Sequence, residues 1–289
     1  MRVLKVPYDR GGGIKSYGAS FGPEAIEQQF RKFLWRCSED GVSLPAVQFV
    51  DMMKRDGSPT NLKGVFAREV DAVLERNEFG LTVLSGDNSC SFFTVEGVAS
   101  IFPSPHLVVL DAHPDLCNFY HHPHASWVRG LWEKKIVIPS KTFFFGIRDA
   151  EEVEMAYLKE KGAVVFSCDE LSGIELSNVF FDLKTRNKIN TASALILVVD
   201  IDVVDPSQAP GTGVLRAPGL DLRKVLRTVR EFGRLPFPFK VGEITEVIPK
   251  AGNAMRPEHD KRDDPSNLTV LAAEAILREM IYQFSKNPA

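Results

Sequence analysis

Along this chain, short runs of consecutive apolar residues alternate with longer stretches in which apolar positions recur every three or four residues. The runs are Val3 to Val6, Leu81 to Leu84, Leu107 to Leu110, Thr142 to Ile147, Ala163 to Phe166, Leu195 to Val199 and Phe239 to Ile244. Being largely continuous rather than alternating, they predict strands covered on both faces, as in a parallel sheet. The helical patterns open at Pro23 and cover roughly Leu62 to Glu78, Ala150 to Lys161, Leu222 to Phe232 and Asn267 to Phe284. A proline is tolerated at a first helical position, which fits the entry at Pro23. The alternation predicts βαβ construction and an α/β fold. Neither an internal repeat nor a low-complexity tract interrupts it, and no linker divides residues 1–289, so one domain is expected.

Two of the apolar runs end in acids. Leu107-Val108-Val109-Leu110 leads into Asp111-Ala112-His113-Pro114-Asp115, and Leu195 to Val199 leads into Asp200-Ile201-Asp202 with a turn at Asp205-Pro206. Side chains two apart in an extended segment share a face. Asp111 and His113 therefore point together, as do Asp200 and Asp202, and a turn at Pro114 brings Asp115 back. Two such strand ends side by side make a dense acidic pocket, and unpaired buried carboxylates are very costly. Two divalent cations would neutralise four of them. Acids that merely cap helices after strands are the plainer alternative, but it leaves the repeated parity unexplained.

Composition changes this picture little. Hydrophobic residues make up 44% of the chain, enough for a large core, and a net charge of -3 offers no electrostatic ground for nucleic acid or anionic membrane as a partner. The segment Met1 to Pro7 has no long apolar stretch, so neither a signal peptide nor a membrane anchor is expected there, and the cytoplasm is the default compartment. Cys37, Cys90, Cys117 and Cys168 are scattered and are expected to be reduced packing residues. Gly11-Gly12-Gly13-Ile14-Lys15-Ser16 lacks the glycine spacing of a phosphate-binding loop and reads as a flexible loop. His121, His122 and His124 have no cysteine to complete a zinc site, and Phe143-Phe144-Phe145 reads as a buried strand.

Five segments, in order, carry a resemblance: Gly18-Ala19-Ser20-Phe21-Gly22-Pro23, Asp111 to Asp115, Phe145-Gly146-Ile147-Arg148, Asp200 to Pro206 with Ala209-Pro210-Gly211-Thr212-Gly213, and Glu246-Val247-Ile248-Pro249. Together they resemble the ureohydrolase family of arginases, agmatinases and formimidoylglutamases. The resemblance implies a three-layer α/β/α, arginase-like fold with a mainly parallel sheet, and two Mn2+ ions. It further implies hydrolysis of a C–N bond in a small linear guanidino or amidino compound by a metal-bridging hydroxide, and a homo-oligomer. A family member without catalysis, acting in binding or regulation, is the alternative. Oxygen-rich ligation suits manganese better than copper or structural zinc.

Residue by residue, the resemblance implies that Asp111 and Asp200 bridge both ions, that Asp115 binds the first, and that His113 and Asp202 bind the second. Asp115 would also take a proton from the nucleophile, His124 would shuttle protons, and Glu246 would hold the substrate's cationic group. An exposed loop histidine and a salt-bridged strand-end acid are the plainer readings of the last two. Ser85-Gly86-Asp87-Asn88-Ser89 departs from the family pattern, with Asn88 in place of a histidine on the first metal. Its amide oxygen has the reach to serve as a ligand but is a weaker donor, so a weak first site is expected. Ala125 replaces the glycine after the shuttle histidine, and Ile248 replaces an asparagine. Substrate choice would lie in the loops from Leu116 to Pro123 and from Met255 to Pro265.

Overall fold

The computed structural model describes residues 1–12, 15–32, 43–53, 61–118, 123–185, 189–249, 264 and 266–287. The seven apolar runs become seven strands of one eight-stranded sheet, to which β2 is added: β1 (Arg2–Val6), β2 (Gln48–Asp51), β3 (Gly80–Ser85), β4 (His106–Leu110), β5 (Thr142–Ile147), β6 (Val164–Ser167), β7 (Leu195–Asp200) and β8 (Lys240–Thr245). Every pairing between neighbours is parallel, in the order β2-β1-β3-β8-β7-β4-β5-β6. Helices α1 (Gly22–Arg31), α2 (Leu62–Leu74), α3 (Ser89–Ala99), α4 (Trp127–Glu133), α5 (Glu152–Lys161), α6 (Cys168–Gly173), α7 (Leu176–Thr185), α8 (Leu222–Gly233) and α9 (Leu268–Phe284) complete the chain order.

Strand periodicity divides the core in two. Val108 and Leu110 of β4, Phe143 and Phe145 of β5, and Leu195, Leu197 and Val199 of β7 pack with α1, α6, α7, α8 and α9. Leu107, Val109, Phe144, Ile196 and Val198 face the other way, onto α2, α3 and α4. Neighbours in sequence thus serve opposite layers, and the result is the expected three-layer α/β/α arrangement. Phe143, Phe144 and Phe145 are fully buried, as a strand reading requires.

Some elements lie outside the periodic signal. β2 holds two apolar residues between polar ones and pairs on one side only, with β1. The α3 helix is buried at eight of its positions, including Ser89, Ser91 and Thr94, while its partly exposed stripe carries Phe93 and Ala99 beside Glu96, so polarity does not follow a helical period. α4 and α6 are too short to show one, with seven and six residues. α2 stops at Leu74 rather than at Glu78. Cys90 and Cys168 are buried free thiols and Cys117 is partly buried, while Cys37, His121, His122 and most of the loop Met255 to Pro265 lie outside the described residues.

One glycine shapes the end of β5. Gly146 has φ +99°, and a Cβ there would meet Val203 Cγ2 at 2.6 Å. It sits where the β5–β6 register shifts, between Phe145 and Ile147. The following Arg148 then reaches over the turn after β7, donating from Nη2 to the Asp202 carbonyl at 2.5 Å and from Nη1 to that of Val203 at 3.3 Å.

Candidate active site

Five strand ends supply the site: β3, β8, β7, β4 and β5 are consecutive in the sheet. Ligands gather at the carboxyl ends of strands in open α/β sheets because loops can diverge there. Asp111 follows β4 directly, Asp200 closes β7, and the two strands pair with Leu110 opposite Val199. Asp202 lies in the 3-10 turn Ile201–Val203, whose start is capped by the Asp200 carboxylate accepting from Asp202 N at 2.8 Å. Asp111 does the same for its own loop, accepting from His113 N at 2.7 Å. Asp202 in turn accepts from Ala112 N at 3.1 Å, which ties the two loops together.

His113 turns its Nδ1 to Asp202, at 3.0 Å, and to Asp111, at 3.5 Å. Its Nε2 lies 3.3 Å from Asp149 beyond the end of β5. One ligand atom each from Asp111, His113 and Asp202 can be chosen so that all lie within 4.8 Å of one another. Asp115 is brought back into the cleft by a left-handed backbone, φ 53°, and is buried. Its Oδ2 accepts from Trp127 Nε1 at 2.6 Å and from Asn88 Nδ2 at 3.1 Å.

Asn88 turns its amide nitrogen, not its oxygen, to the acids. Nδ2 donates to Asp200 Oδ2 at 2.7 Å and more weakly to Asp111 Oδ2 at 3.4 Å, while its Oδ1 accepts from the Thr245 hydroxyl. Thr245 stands opposite Asp200 in the pairing of β7 with β8. Glu246, next along and also left-handed at φ 60°, accepts through Oε1 from Asn88 N and Ser16 Oγ, both at 3.0 Å. His124 Nδ1 is 3.1 Å from the Gly11 carbonyl. The glycine-rich loop is held at its start rather than free, since Gly11 N and Gly12 N donate to Asp87 Oδ2 at 2.6 and 2.8 Å. Those amides bind a carboxylate of the protein itself, which is how they differ from a phosphate cradle.

Like charges in a dry cleft push proton affinities up. Burial, then the Asp202 charge, raises Asp111 to about 7. Asp200 and Asp115 are held well above the ordinary carboxylate range, first by burial and then by neighbouring acids. Asp202 is the exception, lowered against the effect of burial because His113 faces it. Burial acts to lower His113, but Asp202 and Asp111 outweigh it and the imidazole is raised. Burial and Asp87 raise Glu246 to about 8. The acids thus hold more protons than they would in water, and a cation entering among them would displace those protons.

The cleft has a volume of about 310 Å³, and Lys15, Ser16, His124, Glu151, Thr212 and Arg216 are among the residues that line it. All the residues singled out from sequence, namely Asn88, Asp111, His113, Asp115, His124, Asp200, Asp202 and Glu246, lie in it or touch its acids. Trp127, Asp149 and Thr245 escape sequence reasoning. Trp127 reads as a core residue, and Thr245 acquires meaning only once β8 is known to lie beside β7. Asp149 has a weak signal, as an acid just past an apolar run.

The sequence profile of the Arginase family matches residues 1–282. An agmatinase of Bacillus subtilis is 27% identical over 278 residues, covering 93% of this chain and 87% of the relative. The crystal structure of formimidoylglutamase from Bacillus subtilis superposes with TM-score 0.82 at 21% identity, covering 100% of this chain and 88% of that one, and shows the same fold. Proclavaminate amidino hydrolase from Streptomyces clavuligerus gives TM-score 0.79 at 26% identity, over 98% and 91% of the two chains. With the profile spanning almost its whole length and its acids gathered at the central strand ends, this chain belongs to the arginase family.

Proposed function

We propose that this arginase-family hydrolase cleaves a C–N bond of a small linear guanidino or amidino compound with the help of manganese. The observation that carries the reading is the pairing of the Asp111, His113 and Asp202 cluster with a further acid, Glu246, in one cleft. Two carboxylates and an imidazole within 4.8 Å are a donor set suited to a divalent ion, and oxygen-rich ligation favours manganese. Bound there, the ion supplies Lewis acidity and a water of lowered pKa.

The chain's own groups divide the remaining work. Glu246, fixed by Ser16 and the Asn88 amide, offers a carboxylate to a planar cationic amidinium, where charge-assisted hydrogen bonds are strong. Asp115, which lines the same cleft, accepts the proton of the attacking water. His124 lines the cleft with one nitrogen at the Gly11 carbonyl, which orients the ring so that the other can carry a proton to the leaving amine. Asp149 holds the far nitrogen of His113, the outer support that metal-binding imidazoles usually have.

The test is a product screen. Protein loaded with manganese is offered arginine, agmatine, guanidinobutyrate, guanidinopropionate and formimidoylglutamate, and urea and formamide are measured. Release of either from one of these compounds, lost on chelation and restored by manganese, is the expected outcome. No product from any of them, with metal shown to be bound, would refute the reading.

A further inference from the structure

The family implies a binuclear site, yet the residues here fit one ion and not two. At the second position, Asp111, His113 and Asp202 present ligand atoms within 4.8 Å of one another. At the first position, where Asp115 would meet the residue at 88, the carboxylates are already served by protein N–H groups. Asn88 Nδ2 donates to Asp200 and Asp115, at 2.7 and 3.1 Å, and also reaches Asp111 at 3.4 Å. A primary amide nitrogen has two hydrogens and no lone pair for a metal. It stands among three acids as a neutral hydrogen-bond donor in the place a cation would take.

Rotating the Asn88 amide would bring Oδ1 to the acids, and the Thr245 hydroxyl could accept from Nδ2 in that orientation. Trp127 allows no such exchange. Its indole Nε1 is a donor only, and at 2.6 Å it engages the same Asp115 Oδ2 that Asn88 engages. Trp127 is fully buried within α4, so it is not free to swing away. An ion binding through that oxygen would have to compete with the indole and leave a buried donor without a partner, which is costly.

We infer that this chain binds a single divalent ion, at Asp111, His113 and Asp202, with the Asn88 amide and the Trp127 indole taking the place of the other. The inference rests on the metal-dependent reading above, but it is a statement about stoichiometry and is tested without turnover. Chelator-stripped protein is titrated with Mn2+ by calorimetry, its metal content is measured after desalting, and its electron paramagnetic resonance spectrum is recorded. The expected result is one Mn2+ per chain with the hyperfine pattern of an isolated ion. The double variant Asn88→His, Trp127→Phe restores an imidazole and removes the competing donor while keeping an aromatic ring in the core. It should bind two Mn2+ per chain and show the spectrum of an exchange-coupled pair.

Two ions or a coupled spectrum in the natural protein would overturn the inference, as would no binding at all. A correctly folded double variant, judged by circular dichroism, that still binds one ion would overturn the assignment to Asn88 and Trp127. The hydrolase reading fails separately: one bound ion with no product in the substrate screen defeats that reading and leaves the stoichiometry standing.

Discussion

Asp200 answers two demands with one side chain. Through Oδ1 it caps the turn that carries Asp202, and through Oδ2 it meets the Asn88 amide in the cleft. The first is a folding role worth about 1 kcal/mol, the usual value of a capping acid. The second places a nearly buried carboxylate among like charges, which costs stability unless a cation offsets it. Asp200→Ala should therefore leave a folded protein, because the lost cap is partly offset by relief of repulsion, while product formation falls by ~10–100-fold, the loss usual for a group that positions a metal ligand. Asp200→Asn keeps the cap and should lose activity as well. Near-natural turnover in either variant would show that Asp200 takes no part in the chemistry. At this scale the sequence was informative for the acids that follow or close strands, Asp111 and Asp200, whereas Asp202 and His113 reach the cleft from turns rather than by strand parity; it was silent on Trp127, whose role depends on which acid its indole meets.

Helix α8 shows why some elements could be read and others could not. Its apolar positions Val225, Val229 and Phe232 face the sheet while Arg223, Arg227 and Glu231 do not enter the core, and Asp221 caps its start through Arg223 N at 2.8 Å. Periodicity and cap coincide, so the predicted span from Leu222 to Phe232 lies one residue short of the observed end. Phe232 packs at ring-centroid distances of 4.8 Å from Phe180, 5.4 Å from Phe145 and 6.4 Å from Phe143, joining α7 and β5 to α8. Truncating it leaves a cavity in a layer that has no solvent to fill it. Phe232→Ala should cost ~3–5 kcal/mol in urea unfolding, and a loss under 1 kcal/mol would mean that this layer is loosely packed. Helix α3 is the opposite case: nearly enclosed by α2, α4 and the sheet, it leaves only a narrow, partly exposed stripe at Phe93, Glu96 and Ala99, where a single charge is too little for periodicity to register.

Across the whole molecule, one buried acid outside the proposed chemistry ties stability to pH. Glu243 lies on β8 between β3 and β7, fully buried, with its carboxyl accepting from the Ser85 hydroxyl. Burial pushes it up to about 7 from an ordinary 4.5. Between those values the folded protein holds a proton that the unfolded chain has released, so stability falls as pH rises through this window and levels off above it. Replacing the acid by its amide removes the titration. The stability of the natural protein relative to Glu243→Gln should decline by up to about 3 kcal/mol from pH 4.5 to pH 8, the free-energy equivalent of such a shift. Urea midpoints of both proteins across that range provide the check, and a constant difference would refute it. Comparing the two proteins removes the contribution of the cleft acids, which titrate in the same window and are common to both.

What the sequence determined by itself was whatever depends on neighbours along the chain. Continuous apolar runs required strands buried on both faces, helical periodicity required amphipathic cover, and acids just past two runs, at positions 111 and 200, required that carboxylates emerge together at strand ends. Tertiary structure decided what depends on neighbours across the sheet. Inserting β8 between β3 and β7 set Thr245 opposite Asp200 and gave the Asn88 amide oxygen a hydroxyl partner, while the acids at the ends of β4 and β7 accept from its nitrogen. The fold of α4 against the β4 loop brought Trp127 to Asp115. The physical reason is directional. A hydrogen bond has a donor end and an acceptor end, and the nitrogen of Asn88 faces the cleft because it meets carboxylates there, the shortest contact being to Asp200, 112 positions away.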